Sequence, residues 1–157
     1  MIRARGGGEQ TGSRPVDRRK KGSKHVGVVD GSGIPLAATV SVAHAPDVTQ
    51  LEGVVDAIPD VQGKPGRPRR RPDELDGDRG VASEPHREQR RRRGIKPQRA
   101  WRKTEHGRGL GRVRGVVERF FSGLPRFGRL RVRTDKSEGR HDAFLTLACA
   151  EICLSFL

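Results

Sequence analysis

The sequence predicts a mixed α/β fold with an antiparallel start. Three observations carry that reading. Two β-rich runs flank Asp30-Gly31-Ser32-Gly33, apolar residues recur at helical spacing from Val48 to Ile58, and they do so again from Val113 to Leu124.

Residues 1–24 are Gly-rich and basic without periodicity, which predicts an irregular, disordered basic arm ahead of a folded region spanning 25–157. "HVGVVDGSGIPLAATVSVA" then reads as strand, tight turn, strand. In that hairpin Asp30 is a turn former before it is a catalytic acid. Val48, Leu51, Val54, Val55 and Ile58 switch to helical spacing. Asp47, with Gln50 three residues on, resembles a capping box, and Pro59 closes the helix. "QGKPGRPRRRPDE" is a Pro/Gly/Arg loop suited to solvent or phosphate, and "ELDGDRG" begins as a short strand that ends in acids.

"EPHREQRRRRG" is polar all round and predicts an exposed helix stopped at Gly94. "IKPQRAW" offers one more strand, which Pro97 restricts to an edge. Val113, Val116, Val117, Phe120, Phe121 and Leu124 then form the clearest amphipathic stretch, and "HDAFLTLACAEICLSFL" predicts an apolar terminal helix. The expected order is β-β-α-(β)-α-(β)-α-α, a mixed sheet with flanking helices.

Composition narrows the partners. The chain has 157 residues, with 33 Lys and Arg against 19 Asp and Glu, a net charge of +14. Basic residues run from Arg3 to Arg140, so the excess is no local tail, and nucleic acid is the commonest partner for such a surface. Phosphate contacts are expected within 14–24, 64–71 and 87–93. The run from Ala143 to Leu157 is too short and too interrupted to cross a membrane, so no membrane partner is expected. Cys149 and Cys153 stand four apart without a second C-x-x-C pair, consistent with core residues in a reducing cytoplasm. The five histidines are scattered, with no H-E-x-x-H and no zinc spacing.

Two readings of Glu118 stay open on spacing alone. It can be a counter-charge to Arg114, one turn earlier, in an exposed pair worth ~0.2–0.5 kcal/mol. It can also be a metal ligand, the less common case on spacing alone, because flanking arginines keep a carboxylate ionised while they hold phosphate. Two-metal phosphodiester chemistry needs further carboxylates from other elements. Asp78, 40 positions earlier, is a candidate, and Asp73, Glu74 and Asp76 compete with it.

Taken as an ordered set, "GSKHVGVVDGSGIPLA", "DVTQLEGVVDAIP", "GKPGRPRRRPDEL", "DGDRG", "RRRGIKP", "EHGRGLGRVRGVVERFF" and "HDAFLTLACAEICL" resemble the catalytic domain of bacterial insertion-sequence transposases of the DDE class. The resemblance spans nearly the whole chain. It implies a ribonuclease-H-like fold in which Asp, Asp and Glu hold two Mg²⁺ (or Mn²⁺) ions. By match to "DRG" and "RGVVER", Asp78 is the implied second acid and Glu118 the third. The implied chemistry is hydrolysis at the element end and attack of the freed 3′-OH on target DNA. Arg114, Arg119, Arg67, Arg69, Arg70, Arg71, Lys21 and Lys24 are the expected DNA contacts.

The departures carry expectations as well. The family's first Asp lies on a strand ahead of the phrase that begins here at Arg3-Ala4. The chain therefore resembles the C-terminal portion of a split or truncated copy, with an incomplete fold and no activity alone. It would depend on the product of the upstream reading frame, in the bacterial cytoplasm at the nucleoid, with a homo-oligomer as a further expectation. Val81 replaces an aromatic, Asp76 charges an otherwise apolar strand, and Pro125 stands in place of a Lys. A non-catalytic nucleic-acid-binding protein and a decayed relic are the alternatives, and neither needs Asp78 or Glu118.

Overall fold

A computed structural model of the chain describes the backbone of residues 1–14, 20–63, 65–69, 71–76, 84–97 and 110–157. Its centre is a long hairpin. Strand β3 (Lys21–Val29) pairs antiparallel with β4 (Pro35–Val42), from Ser23 opposite Val42 to Val29 opposite Pro35. Asp30 makes the turn as expected: one carboxylate oxygen accepts the amides of Ser32, Gly33 and Ile34, each at 2.9 Å. Gly33 takes φ +105°, open to glycine at little steric cost.

The sheet is mixed. β1 (Ile2–Ala4) lies antiparallel to β3 and parallel to β7 (Val132–Arg133), while β2 (Gly12–Ser13) pairs with the start of β3 on the opposite side from β1. This corrects the disordered arm for the described part of residues 1–24. Ile2–Ala4 is an inner strand, and its short length hid it from any reading by periodicity. β7 was not expected either, because two residues cannot show alternation.

α1 (Asp47–Asp56) packs on one face of the hairpin. Val54 and Val55 join Val28, Leu75 and Ile95 in one core, with Leu51 and Ile58 at its margin. The expected capping box does not form. The N-cap is Pro46, with no side-chain cap, and the Asp47 carboxylate instead meets the Lys24 ammonium at 2.5 Å. β5 (Glu74–Leu75) and β6 (Lys96–Pro97) form a separate two-stranded parallel sheet, which leaves Pro97 on an edge.

α2 (Glu84–Arg92) is not the freely exposed helix its composition suggested. Arg87 and Arg90 are each only 4 % exposed, and beyond the helix Arg93 meets Glu52 at 3.0 Å and Asp56 at 2.8 Å. Acids on α1 thus hold the arginine-rich segment against the body of the protein.

The opposite face of the hairpin carries α3 (Leu110–Gly123), a 3-10 turn (Leu124–Arg126), α4 (Gly128–Arg131) and α5 (Glu138–Leu154). Val40, Phe120, Leu124, Leu130, Leu145 and Ala148 make the second core. The stripe at Val116, Phe120 and Leu124 is buried as its spacing predicts. Among the described residues no helix is long and apolar enough to cross a membrane.

Candidate functional site

The candidate carboxylate sits on a helix packed against the central hairpin. Phe120 is 4 % exposed and rests on Gly27 of β3, where an added Cβ would come within 2.9 Å of the ring. Two residues before it, Glu118 points outward and is exposed. The result is an acid on a helix whose other face is locked to the central strands, a rigid mounting for a ligand group. Arg119 is also exposed, and its Nε donates to the Gly115 carbonyl at 3.3 Å. Arg114 lies one helical turn before Glu118 in the backbone of α3. Asp78 and Arg70 lie outside the described residues.

The remaining basic candidates divide by environment. Lys21, Arg67 and Arg69 are exposed, although Arg69 is tied to Asp73 at 2.9 Å. Arg71 is exposed as well, but its Nη1 donates to the Arg93 carbonyl at 2.7 Å, beside Gly94 at φ +71°. Lys24 is buried at 7 % exposure, with its ammonium on the Ala45 carbonyl and the Asp47 carboxylate. The basic patch read from sequence therefore includes one cation, Lys24, that serves the fold, because the Ala45 carbonyl and Asp47 claim it.

Of the competing acids, Asp73 and Glu74 are exposed, whereas Asp76 is half-buried with Oδ1 lacking a partner. Burial, then the neighbouring Glu74 charge, raises its pKa. Among the described residues, no three His, Cys, Asp or Glu side chains converge closely enough to hold a metal ion. A two-ion site is thus not assembled from the described residues, and Glu118 presents a single carboxylate.

A polar cluster that spacing did not reveal lies under the sheet. His25 on β3 and His141 on α5 stack at 5.3 Å between centroids, with Nε2 atoms 3.0 Å apart. Arg133, fully buried, donates from Nη1 to Ser23 Oγ at 2.8 Å and from Nε to the Asp135 carbonyl at 2.9 Å. Burial lowers the pKa of His25 to about 3 and also lowers that of His141, where Arg133 adds to the effect. The histidines are scattered in sequence, but two of them meet across 116 residues. No local signal marks such a pair.

Further along α5, Cys149 and Cys153 are free and half-buried, and burial pushes the Cys149 thiol up to about 11. They are packing residues, as expected.

Comparison with known proteins gives the frame for this geometry. Residues 1–152 match the family model described as Transposase DDE domain. A Burkholderia cepacia protein named as a transposase for insertion sequence element IS402 is 48 % identical over 153 residues, covering 98 % of this chain and 72 % of that protein. No solved structure matches.

Proposed function

The chain belongs to the family of transposase DDE domains, and from that premise we propose that it carries the distal part of a DNA strand-cleaving and strand-transferring centre on a ribonuclease-H-like sheet. Transposases of this family act on DNA and use divalent metal ions. The observation that supports the reading best is the mounting of Glu118: exposed, yet fixed by Val116 and Phe120 to the central hairpin.

In this reading Asp78 and Glu118 are two of the metal-holding acids, and no residue of 1–157 is assigned the role of the first. Two Mg²⁺ or Mn²⁺ ions would supply activation of the attacking oxygen and stabilisation of the leaving one. The chain's own part is to hold DNA. Arg114 and Arg119 flank Glu118, and the exposed Lys21, Arg67 and Arg69 add sequence-independent phosphate contacts. A complete centre of this kind needs one acid beyond Asp78 and Glu118. Residues 25–157 form the partial catalytic domain, to which β1 and β2 belong by their pairing.

The test is Mg²⁺-dependent cleavage of element-end DNA by the chain joined to its upstream portion. Glu118→Gln and Asp78→Asn should each abolish cleavage while leaving DNA affinity within about twofold. Cleavage that survives either change removes that residue from the centre. A binding-only protein is the second reading, favoured by the exposed cations and by the lack of converging acids among the described residues. It predicts salt-dependent affinity with no nicking in either form.

A further inference from the structure

Helix α5 is apolar on both sides. His141, Leu145 and Ala148 are buried against the core, yet Ala143, Leu147, Ala150 and Leu154 are exposed on the other side. Leu147 is 65 % exposed and Leu154 66 %, which is unusual for leucines on a well-formed helix. A helix that is apolar all round is normally buried all round. This one packs by a single side and has a face still to be covered.

The exposed positions follow one another by steps of four, three and four, which aligns them in one seam along the helix. Small and large side chains alternate in it. Two such helices laid antiparallel, with a two-fold axis between Leu147 and Ala150, set every leucine against an alanine. Leu147 then meets the partner's Ala150, and Ala143 meets the partner's Leu154. Parallel helices would instead stack leucine on leucine and bring the two Glu151 carboxylates together.

Charge sorts the same way. Beside the seam α4 and α5 bound an open groove, lined by Phe127 and Phe144, with Arg129 contributed by α4 and Glu151 by α5. The Arg129 guanidinium lies 5.4 Å from the centroid of the Phe144 ring, and Phe144 stands about two turns before Glu151 on the helix. The groove therefore has a cation towards one end and an acid towards the other. Antiparallel pairing lays each Glu151 near the partner's Phe144 and the partner's Arg129, a contact made twice by symmetry. With a net charge of +14, two copies repel each other over most of their surface. No Lys or Arg follows Arg140, so the seam is a stretch where they can approach.

We propose that the outer face of α5 is where two copies of this chain meet, as an antiparallel helix pair about a two-fold axis. Lys21, Arg67, Arg69 and Glu118 all lie outside α5, so neither DNA nor a metal ion takes part in this contact.

Sedimentation velocity over a concentration series tests it, after nuclease treatment so that DNA cannot bridge two copies. The 157-residue chain should be largely dimeric by about 50 μM, the weak association expected of a single helix face. Leu147→Glu should be monomeric at the same concentrations, with its urea midpoint little changed because the side chain is exposed. Glu151→Arg should weaken association by about fivefold or more, since two attractive contacts become repulsive. Adding Arg129→Gln should recover part of that loss. A chain that stays monomeric to about 200 μM overturns the proposal and leaves the face to a different protein segment. So does a dimer indifferent to Leu147→Glu, whose copies must meet elsewhere. A loss in Glu151→Arg that Arg129→Gln leaves untouched overturns the antiparallel register. Binding of the monomer to neutral phosphatidylcholine vesicles, abolished by Leu147→Glu, would make the face a lipid contact and overturn it too.

Discussion

The Nε2 atoms of His25 and His141 lie 3.0 Å apart in the interior, joining β3 to the first turns of α5. One imidazole must donate and the other accept, so the contact needs at least one neutral ring. Arg133 beside the pair opposes a second positive charge, and Asp135, with Oδ2 at 3.9 Å from His141 Nδ1, is the counter-charge in view. Below the ordinary histidine range the unfolded chain takes up protons that the folded pair refuses.

Stability should therefore be full above about pH 6.5 and fall as pH drops from there towards about 3, the value to which burial brings His25. The sign follows from proton binding: in that window the unfolded state holds more protons, so the folding equilibrium favours it increasingly as pH falls. The slope approaches ~1.4 kcal/mol per pH unit for each histidine that is charged only when unfolded. Urea titrations between pH 4 and 8 check this, and His25→Gln should flatten the curve. An unchanged slope in that variant would show that the acid sensitivity arises elsewhere.

Arg133 is the linchpin of the same cluster, spanning β7, β3 and the loop at Gln10. Removing it strands Ser23 Oγ and the carbonyls it serves, and leaves Asp135 without its nearest buried cation. Arg133→Met should destabilise the protein by about 3–5 kcal/mol, the usual cost of breaking a buried charged network from one side. Thermal unfolding of Arg133→Met beside Arg133→Lys measures it. Lysine keeps the charge and should recover part of the loss.

How far the sequence could be read depended on the range of each signal. The hairpin about Asp30 and the stripe at Val116, Phe120 and Leu124 were legible because period and turn chemistry are local. β1 and β7 were not, since strands of three and two residues exist only through their partners. Lys24 shows the same limit at the site. In the sequence it is one more cation in a basic run, and only the fold brings Asp47 and the Ala45 carbonyl to it. Glu118 was legible as a candidate because its helix is regular, whereas the His25–His141 contact depends wholly on tertiary pairing.

Gly27 should tolerate no side chain. A Cβ there would stand 2.9 Å from Phe120 Cε1, and the ring is held in the core by Val40 and Leu124. Gly27→Ala is expected to cost about 1–3 kcal/mol through overpacking. Phe120→Ala should cost more by itself, about 3–5 kcal/mol, because it empties the core. Combined, the two losses should fall short of their sum, since the second change removes the atom that the first one strikes. A double-mutant cycle by chemical denaturation reads the difference, and strict additivity would mean the contact is not the cause.

Lys21 and Lys24 sit three residues apart on β3 and should respond oppositely to the same substitution. Lys21 is exposed, so its ammonium can meet phosphate, and Lys21→Met should weaken DNA binding and lower the salt slope by about one. Its effect on folding should stay within about 0.5 kcal/mol, as for most surface changes. Lys24 is buried on Ala45 and Asp47, where it fixes the turn that leads into α1. Lys24→Met should leave the salt slope intact yet cost about 1–3 kcal/mol of stability, because the Ala45 carbonyl loses its donor. Filter binding across a salt series, run beside urea denaturation, separates the two. A reduced salt slope in folded Lys24→Met would return that residue to the DNA surface.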